Sequence, residues 1–130
     1  MRSKWLAAGV ASMLAASLSA ADIDFSDFDD AVMRDMDDGI KELDATVSAQ
    51  NRAGALATAA SLDDSLAWVE KYFTNKPEAP LALGYARDTR ANVKALVASL
   101  EAQDFDTAYT HVRAVARSCK VCHEAYKPPE

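Results

Sequence analysis

The sequence predicts an all-α fold, an antiparallel up-down-up-down four-helix bundle, and three observations support this prediction. Apolar residues recur at steps of three and four along four separate segments, which is the spacing of one buried face on a helix. Short stretches of turn and capping residues separate these segments, so successive helices are expected to run in opposite directions. No segment shows the alternation of a strand, and half of the residues are hydrophobic with only four Gly and four Pro, which favours a packed helical core over disorder.

The first 21 residues have the pattern of a secretory signal peptide. Arg2 and Lys4 give a positively charged start, residues 5–18 are apolar, and residues 19–21 offer the small side chains that a signal peptidase reads. The apolar run is shorter than the roughly 20 residues that a membrane span requires. We therefore expect cleavage after residue 21 and a mature periplasmic protein, residues 22–130, that forms one domain without a membrane span.

The mature chain is acidic. Without its first 21 residues it has 12 basic and 20 acidic residues, and therefore a formal charge of −8. Nucleic acid is not expected as a partner, because its phosphates would be repelled, whereas a basic protein would be attracted.

Helix 1 is predicted over residues 26–49 and helix 2 over residues 54–73. Ser26, with Asp29 three residues later, resembles a capping box at the start of helix 1. The buried stripe of helix 1 is predicted to contain Phe25, Val32 or Met33, Met36, Ile40, Leu43 and Val47. The stripe of the alanine-rich helix 2 is predicted to contain Leu56, Ala59, Leu62, Leu66, Val69 and Phe73.

Residues 74–80 contain two prolines and form the clearest loop. Pro80 suits the first turn of helix 3, which is predicted to end near Ala102. Asp104 is a good N-cap for helix 4, which the prolines at 128 and 129 end. The stripe of helix 3 contains Leu83, Ala86, Arg90 or Val93, Leu96, Val97 and Leu100. The stripe of helix 4 contains Phe105, Ala108, Val112, Val115, Cys119, Cys122 and Tyr126.

The last turns of helix 4 carry a Cys-x-x-Cys-His motif, the attachment pattern of a c-type haem. Two thiols at this spacing, Cys119 and Cys122, can add across two vinyl groups of a porphyrin. The next residue, His123, then lies close enough for a ring nitrogen to bond the iron. The chain has no other cysteine. We therefore predict one covalently attached haem c, lying between helices 1, 3 and 4.

Other uses of a Cys-x-x-Cys pair fit the sequence less well. A thiol–disulfide redox pair usually opens a helix after a strand, whereas this pair comes at the end of a helical pattern. A zinc site needs about four ligands, and only His111 and His123 are available besides the cysteines. His111 lies on the same helix as His123 and therefore cannot reach the opposite side of a haem iron. A disulfide within one helical turn would constrain almost nothing.

Together these features resemble the class II c-type cytochromes, the family of cytochrome c′ and its low-spin relatives, over essentially the whole mature chain. In that family the motif lies near the C-terminus of an exported four-helix bundle and is followed by an aromatic and a basic residue. Tyr126 and Lys127 match that pattern, which implies that both belong to the haem environment. In class I cytochromes c the motif lies near the N-terminus and a distant methionine follows it, but here no methionine follows Met36.

The resemblance also implies that the distal side of the iron faces helix 1. The family pattern there is an apolar residue with further apolar residues three and seven positions later. Met33, Met36 and Ile40 match it, which gives Met33 the distal position. Met36 lies about one turn further along the same face and is the alternate ligand, and a distal site closed only by packing is the third reading. Many family members carry Arg four residues before the distal residue, where this chain has Asp29.

The predicted function is one-electron transfer through a periplasmic haem with His/Met axial ligation. No enzymatic activity is expected, because no catalytic acid, base or nucleophile is apparent. The alternatives are a five-coordinate cytochrome c′ that binds nitric oxide or carbon monoxide, and a bundle without haem. Basic redox proteins are the expected partners, and the resemblance implies homodimerisation through helices 1 and 2. The candidates to bind the haem propionates are Arg87, Arg90, Arg113 and Arg117.

Overall fold

The computed structural model describes residues 23–126, which form four helices and no strand. The helices are α1 (Asp30–Ser48), α2 (Arg52–Thr74), α3 (Ala82–Glu101) and α4 (Phe105–Tyr126). Within this range no helix combines the length and the apolar character of a membrane span. The prediction of an all-helical fold is thus confirmed for these residues. The predicted signal peptide and Lys127 lie outside them.

The helices close into a bundle, because each packs against the next in sequence and α1 also packs against α4. Their connections are short, so successive helices run antiparallel, and so do α1 and α4. The interior is filled by aliphatic side chains from all four predicted stripes, and burial of each large one stabilises the fold by about 1.5–3 kcal/mol. The buried set includes Leu43, Val47, Leu62, Leu66, Val93, Leu96, Leu100, Val112 and Val115.

Helix α1 begins at Asp30 rather than at residue 26. Its N-cap is Asp29, whose carboxylate accepts a hydrogen bond from the N–H of Ala31 at 2.9 Å. The N–H of Ser26 instead donates to the carboxylate of Asp24 at 2.9 Å, inside a turn that precedes the helix. The prediction that Ser26 caps helix 1 is therefore wrong. The side chains of Ser26 and Asp29 both offer a suitable oxygen, but the packing of the turn before α1 places Asp29 at the N-cap position.

That preceding turn is held against the C-terminal half of α2. The ring of Phe28 meets the rings of Trp68 and Tyr72 edge-on, with centroids 5.1 and 4.9 Å apart. The carboxylate of Asp27 accepts hydrogen bonds from the Tyr72 hydroxyl at 2.7 Å and from the Lys76 ammonium at 3.2 Å. These two bonds, Tyr72 first, hold the pKa of the Asp27 carboxyl below its ordinary value. The path of the chain into α1 is fixed in this way.

The turns α1–α2 and α3–α4 are built alike. The N–H groups of Gln50 and Asn51 donate to the carbonyls of Val47 and Thr46, a Schellman arrangement that closes the end of α1. The side chain of Asn51 then caps α2 by accepting from the N–H of Gly54 at 3.0 Å. In the second turn the N–H groups of Gln103 and Asp104 donate to the carbonyls of Leu100 and Ser99. The carboxylate of Asp104 then accepts from the N–H of Thr107.

These turns decide two of the predicted boundaries. Asp104 caps α4 as predicted, since its carboxylate accepts from the N–H of Thr107 at 3.1 Å. Helix α2, however, begins at Arg52 and not at Gly54, because Asn51 is its cap. A pattern that looks for the buried stripe misses the first two residues of this helix, Arg52 and Ala53, because both are exposed.

Helix α3 begins at Ala82, two residues later than the predicted start at Pro80. Its flank facing α2 carries Arg90, whose guanidinium donates to the carboxylate of Asp63 at 2.9 and 3.1 Å and to that of Glu70 at 3.0 Å. This network joins the two helices. Of the two residues predicted for this part of the stripe, Val93 is the one that is buried.

Candidate functional site

A cleft of about 500 Å³ lies between the helices, beside the last turns of α4. This volume is within the range of about 300–1,000 Å³ that is usual for ligand and cofactor sites. All four helices line the cleft, and α2, which was not among the helices predicted around the haem, contributes Leu66 and Val69. The lining residues are Met33, Met36, Asp37, Ile40, Leu66, Val69, Ala86, Thr89, Ala116, Cys119, Lys120, Cys122, His123 and Glu124.

The cleft brings together predicted site residues from the two ends of the sequence. Helix α4 contributes both cysteines and His123, and α1 contributes Met33 and Met36. Tyr126 does not line the cleft. It packs on α3, with its ring centroid 6.4 Å from that of Tyr85.

The two cysteines are free, half-buried thiols on neighbouring turns of one helix. Burial raises the pKa of the Cys119 thiol, and the negative charge of Asp37 raises it further. Burial also raises the pKa of the Cys122 thiol to about 11, with a smaller contribution from Cys119. Both sulfurs are therefore protonated at neutral pH. Since the thiolate is the nucleophile and the metal ligand, neither thiol is activated by its surroundings.

The antiparallel packing of α1 against α4 brings the start of α1 to the end of α4 that carries the motif. Met33, Met36 and Asp37 of α1 therefore line the same cleft as Cys119 and His123 of α4. Met33 precedes Met36 by about one helical turn.

The two methionines also differ in their packing. Met36 belongs to the core and is only 7% exposed. Met33 is half-buried and packs against the core from the side. A flexible thioether at the edge of a cleft can change its rotamer more freely than one enclosed by core side chains. Packing therefore distinguishes Met33 from Met36 as the more accessible thioether of the cleft.

Charged residues at the cleft were not predicted. Asp37, Lys120 and Glu124 line it together with the apolar side chains, and the Lys120 ammonium lies 3.9 Å from the Glu124 carboxylate. Their positions in the sequence could have indicated this, since Asp37 and Glu124 are adjacent to predicted site residues and Lys120 lies within the motif. Leu66 and Val69 of α2 carried no such signal, because helical spacing gives them only a place in the core.

None of the four arginines that were predicted as propionate partners lines this cleft. The guanidinium of Arg90 is bound by Asp63 and Glu70, which raise its pKa further above its ordinary value. Arg117 lines a separate groove between α3 and α4. Lys120 is the basic side chain that the described structure places in the cleft.

Two thiols, an imidazole and two thioethers line the cleft, together with the carboxylates of Asp37 and Glu124. The sulfur and imidazole groups are those that attach a c-type haem and bond its iron, and the apolar walls suit a porphyrin, so the residues present fit this cofactor. Among residues 23–126, no three His, Cys, Asp or Glu side chains are grouped so as to hold a metal ion by themselves. Comparison of the chain with models of protein families, with curated proteins and with solved structures found no match.

Proposed function

We propose that this chain is a class II c-type cytochrome of the methionine-ligated branch, which transfers single electrons through one covalently attached haem c. One observation carries the proposal: the cleft beside the Cys-x-x-Cys-His motif is also lined by Met33, from a helix more than 70 residues earlier. A thiol–disulfide pair or a chance motif on a helix end would not require a methionine opposite it.

In this proposal each residue of the cleft has one role. Cys119 and Cys122 hold the porphyrin, because each S–H adds across a vinyl group, with the sulfur and the hydrogen ending on its two carbons. Since burial keeps both thiols protonated, we expect this addition to need an assisting factor after export. His123 of α4 and Met33 of α1 would hold the iron.

The axial pair determines what the site can do. When bound, a haem supplies the one-electron chemistry of its iron. A thioether ligand favours the reduced iron and raises the reduction potential. A haem held by both His123 and Met33 would have no ligand position left for a substrate or a gas. The apolar residues around them, among them Ile40 and Val69, limit the access of water.

The negative charge of the mature domain indicates what kind of redox partner it would bind. The mature domain would carry a formal charge of −8, and Asp37 and Glu124 lie at the cleft itself. A basic periplasmic redox protein would be attracted to such a surface, and its association would weaken with rising salt.

The alternative function is gas binding, which applies if neither methionine bonds the iron. Met36 is enclosed in the core, and with Ile40 it would then form an apolar distal wall in front of an open sixth position. Such a five-coordinate haem binds nitric oxide or carbon monoxide. Whether the sixth position is filled therefore separates the two functions.

The test is an absorption spectrum of the exported protein, oxidised and reduced, with and without carbon monoxide. We expect sharp low-spin bands that carbon monoxide does not change, because Met33 fills the sixth position. Met33→Ala should convert the spectrum to high spin and allow carbon monoxide to bind. Met36→Ala is the matched control, which changes the same side chain one turn away and should leave the low-spin bands in place.

Three outcomes would contradict the proposal at different points. A high-spin wild-type protein that binds carbon monoxide would favour the gas-binding function. Loss of the low-spin bands in Met36→Ala alone would make Met36 the ligand. If denatured wild-type protein carries no covalently bound haem, or if Cys119→Ser with Cys122→Ser retains it, the haem c assignment itself is wrong.

A further inference from the structure

Two side-chain hydrogen bonds to α3 bracket the motif on α4. The first precedes it: the hydroxyl of Ser118 accepts a hydrogen bond from the side-chain amide of Asn92 at 2.8 Å. The same hydroxyl donates to the carbonyl of Ala114 at 3.1 Å, so both its donor and an acceptor position are used. The residue immediately before Cys119 is thus tied to the neighbouring helix.

The second bond follows the motif. The hydroxyl of Tyr126 accepts a hydrogen bond from the N–H of Leu81 at 3.0 Å. Leu81 is the N-cap residue of α3 and makes no capping bond with its own side chain. In a capping box, the side chain three residues later would bond to this N–H, but here that residue is Gly84. Tyr126, from another helix, takes the place of the missing cap.

The Ser118 bond lies towards the groove between α3 and α4, whereas Tyr126 shares the stripe of Cys119 and Cys122 but packs on Tyr85 of α3. Ser118 faces the groove between α3 and α4 that Asn92 also lines, whereas Cys119 and His123 line the cleft. Eight residues separate Ser118 from Tyr126, or about 12 Å along the helix. Two attachment points at this separation fix both the position of the last turns and their rotation about the helix axis.

We propose that Ser118 and Tyr126 are positioning residues, which hold the last turns of α4 against α3 so that the thiols and the imidazole of the motif face the cleft. Their partners are Asn92 of α3 and Leu81, the N-cap residue of α3, and this helix also lines the cleft through Ala86 and Thr89. The anchoring is a property of the chain alone. Its consequence for the orientation of an axial ligand rests on the proposed haem function.

The experiment is amide hydrogen exchange on the full chain as purified. Tyr126→Phe removes one hydroxyl and keeps the ring on Tyr85, and Ser118→Ala removes the other hydroxyl. Each is expected to speed exchange of residues 119–126 about fivefold, which is the effect of one net hydrogen bond. Tyr109→Phe, the same change at an exposed tyrosine of α4, should leave this exchange unchanged.

A double variant and a conservative replacement test the bond between Ser118 and Asn92 further. Asn92→Ala combined with Ser118→Ala should speed exchange no more than either change alone, because both remove the same bond. Ser118→Thr retains a hydroxyl and should restore slow exchange. Ser99→Ala is a further control, since the hydroxyl of Ser99 bonds only to the carbonyl of Ala95 in its own helix.

A second readout reports the axial ligands. In the oxidised haem-loaded protein, electron paramagnetic resonance is sensitive to ligand orientation. We expect one species in the wild type and in Tyr109→Phe, and several in the variant that combines Tyr126→Phe with Ser118→Ala. Multiple species together with faster local exchange would support the positioning role.

Other outcomes would overturn the inference. Exchange of residues 119–126 that stays at the wild-type rate would show that the two bonds do not hold these turns. Acceleration spread equally over all four helices would mean that they serve only general stability. A single species in the combined variant would remove the link to ligand orientation. A chain that carries no haem would refute the proposed function, while hydrogen exchange would still decide the anchoring.

Discussion

At the scale of single residues, Asp29 decides where α1 begins. Its carboxylate accepts from the N–H of Ala31, and loss of such an N-cap typically costs about 1 kcal/mol. Ser26 makes no corresponding bond to the first turn of the helix. The two side chains are only three positions apart and chemically similar, which makes them a matched pair.

We therefore expect Asp29→Ala to lower the free energy of unfolding by about 1 kcal/mol. Ser26→Ala should lower it by less than about 0.5 kcal/mol, as most exposed substitutions do. Equilibrium unfolding in urea, with haem content held equal, measures both changes. A larger effect of Ser26→Ala than of Asp29→Ala would mean that the helix starts where the sequence pattern first placed it.

At the scale of secondary-structure elements, α2 and α3 are joined by Arg90 and its two carboxylate partners, Asp63 and Glu70. The hydrogen bonds from Arg90 hold the pKa of the Asp63 carboxyl below its ordinary value of 3.8. The folded state therefore binds this proton less readily than the unfolded state. The stabilisation is complete above the ordinary pKa and is lost as the pH falls towards the lower, folded-state pKa.

Asp63→Asn is accordingly expected to destabilise the protein by about 1 kcal/mol at pH 7, a value appropriate for a half-buried pair that solvent still screens. The difference from wild type should shrink as the pH falls below about 4, because the wild-type carboxyl then becomes neutral as well. Urea unfolding of both proteins at pH 7 and near pH 3 checks this. Asp64→Asn, at an exposed neighbouring position, is the control, and a pH-independent difference would contradict the ion-pair explanation.

The elements themselves were largely predictable, and the C-terminal ends of α1, α2 and α3 were predicted to within one residue, but most of the starts were not. All four apolar stripes were visible in the sequence because 3.6 residues per turn imposes a period on any half-buried helix. Of the four helix starts, only that of α4, capped by Asp104, was predicted correctly. At α1 two caps competed, and at α3 the cap is the hydroxyl of Tyr126, which no local sequence pattern can reveal.

At the scale of the whole molecule, the cleft shows what sequence patterns can and cannot predict. Most α4 residues of the cleft belong to the Cys-x-x-Cys-His motif, whose known chemistry identified the site in the sequence. Met33 and Met36 were identified by helical spacing and by a family resemblance. The residues from α2 and α3, among them Val69 and Thr89, share the cleft only because of the register between helices, and this register depends on packing between side chains distant in sequence. Whether these groups hold a haem stays a prediction.

The two Schellman turns allow the thermal stability of the protein to be changed separately from the activity of its cleft. Gln50 and Gln103 adopt φ of 54° and 55°, a conformation that costs a residue with a side chain roughly 1 kcal/mol and that glycine adopts freely. Because α1 and α3 run in the same direction, both turns lie at the pole of the bundle opposite the end of α4. Backbone strain and site chemistry are therefore separated in space.

Glycine at either position should raise the melting temperature by a few degrees, equivalent to about 0.5–1 kcal/mol. Gln50→Ala and Gln103→Ala, which keep a Cβ, should give no gain, and thermal unfolding compares the four variants. Equal melting temperatures for the glycine and alanine variants would show that the turns are not strained. Stability and activity often oppose each other in engineering because both draw on the same residues. Here substitutions in the two turns can raise the stability of the bundle without changing the residues of the cleft, which lies at its opposite end.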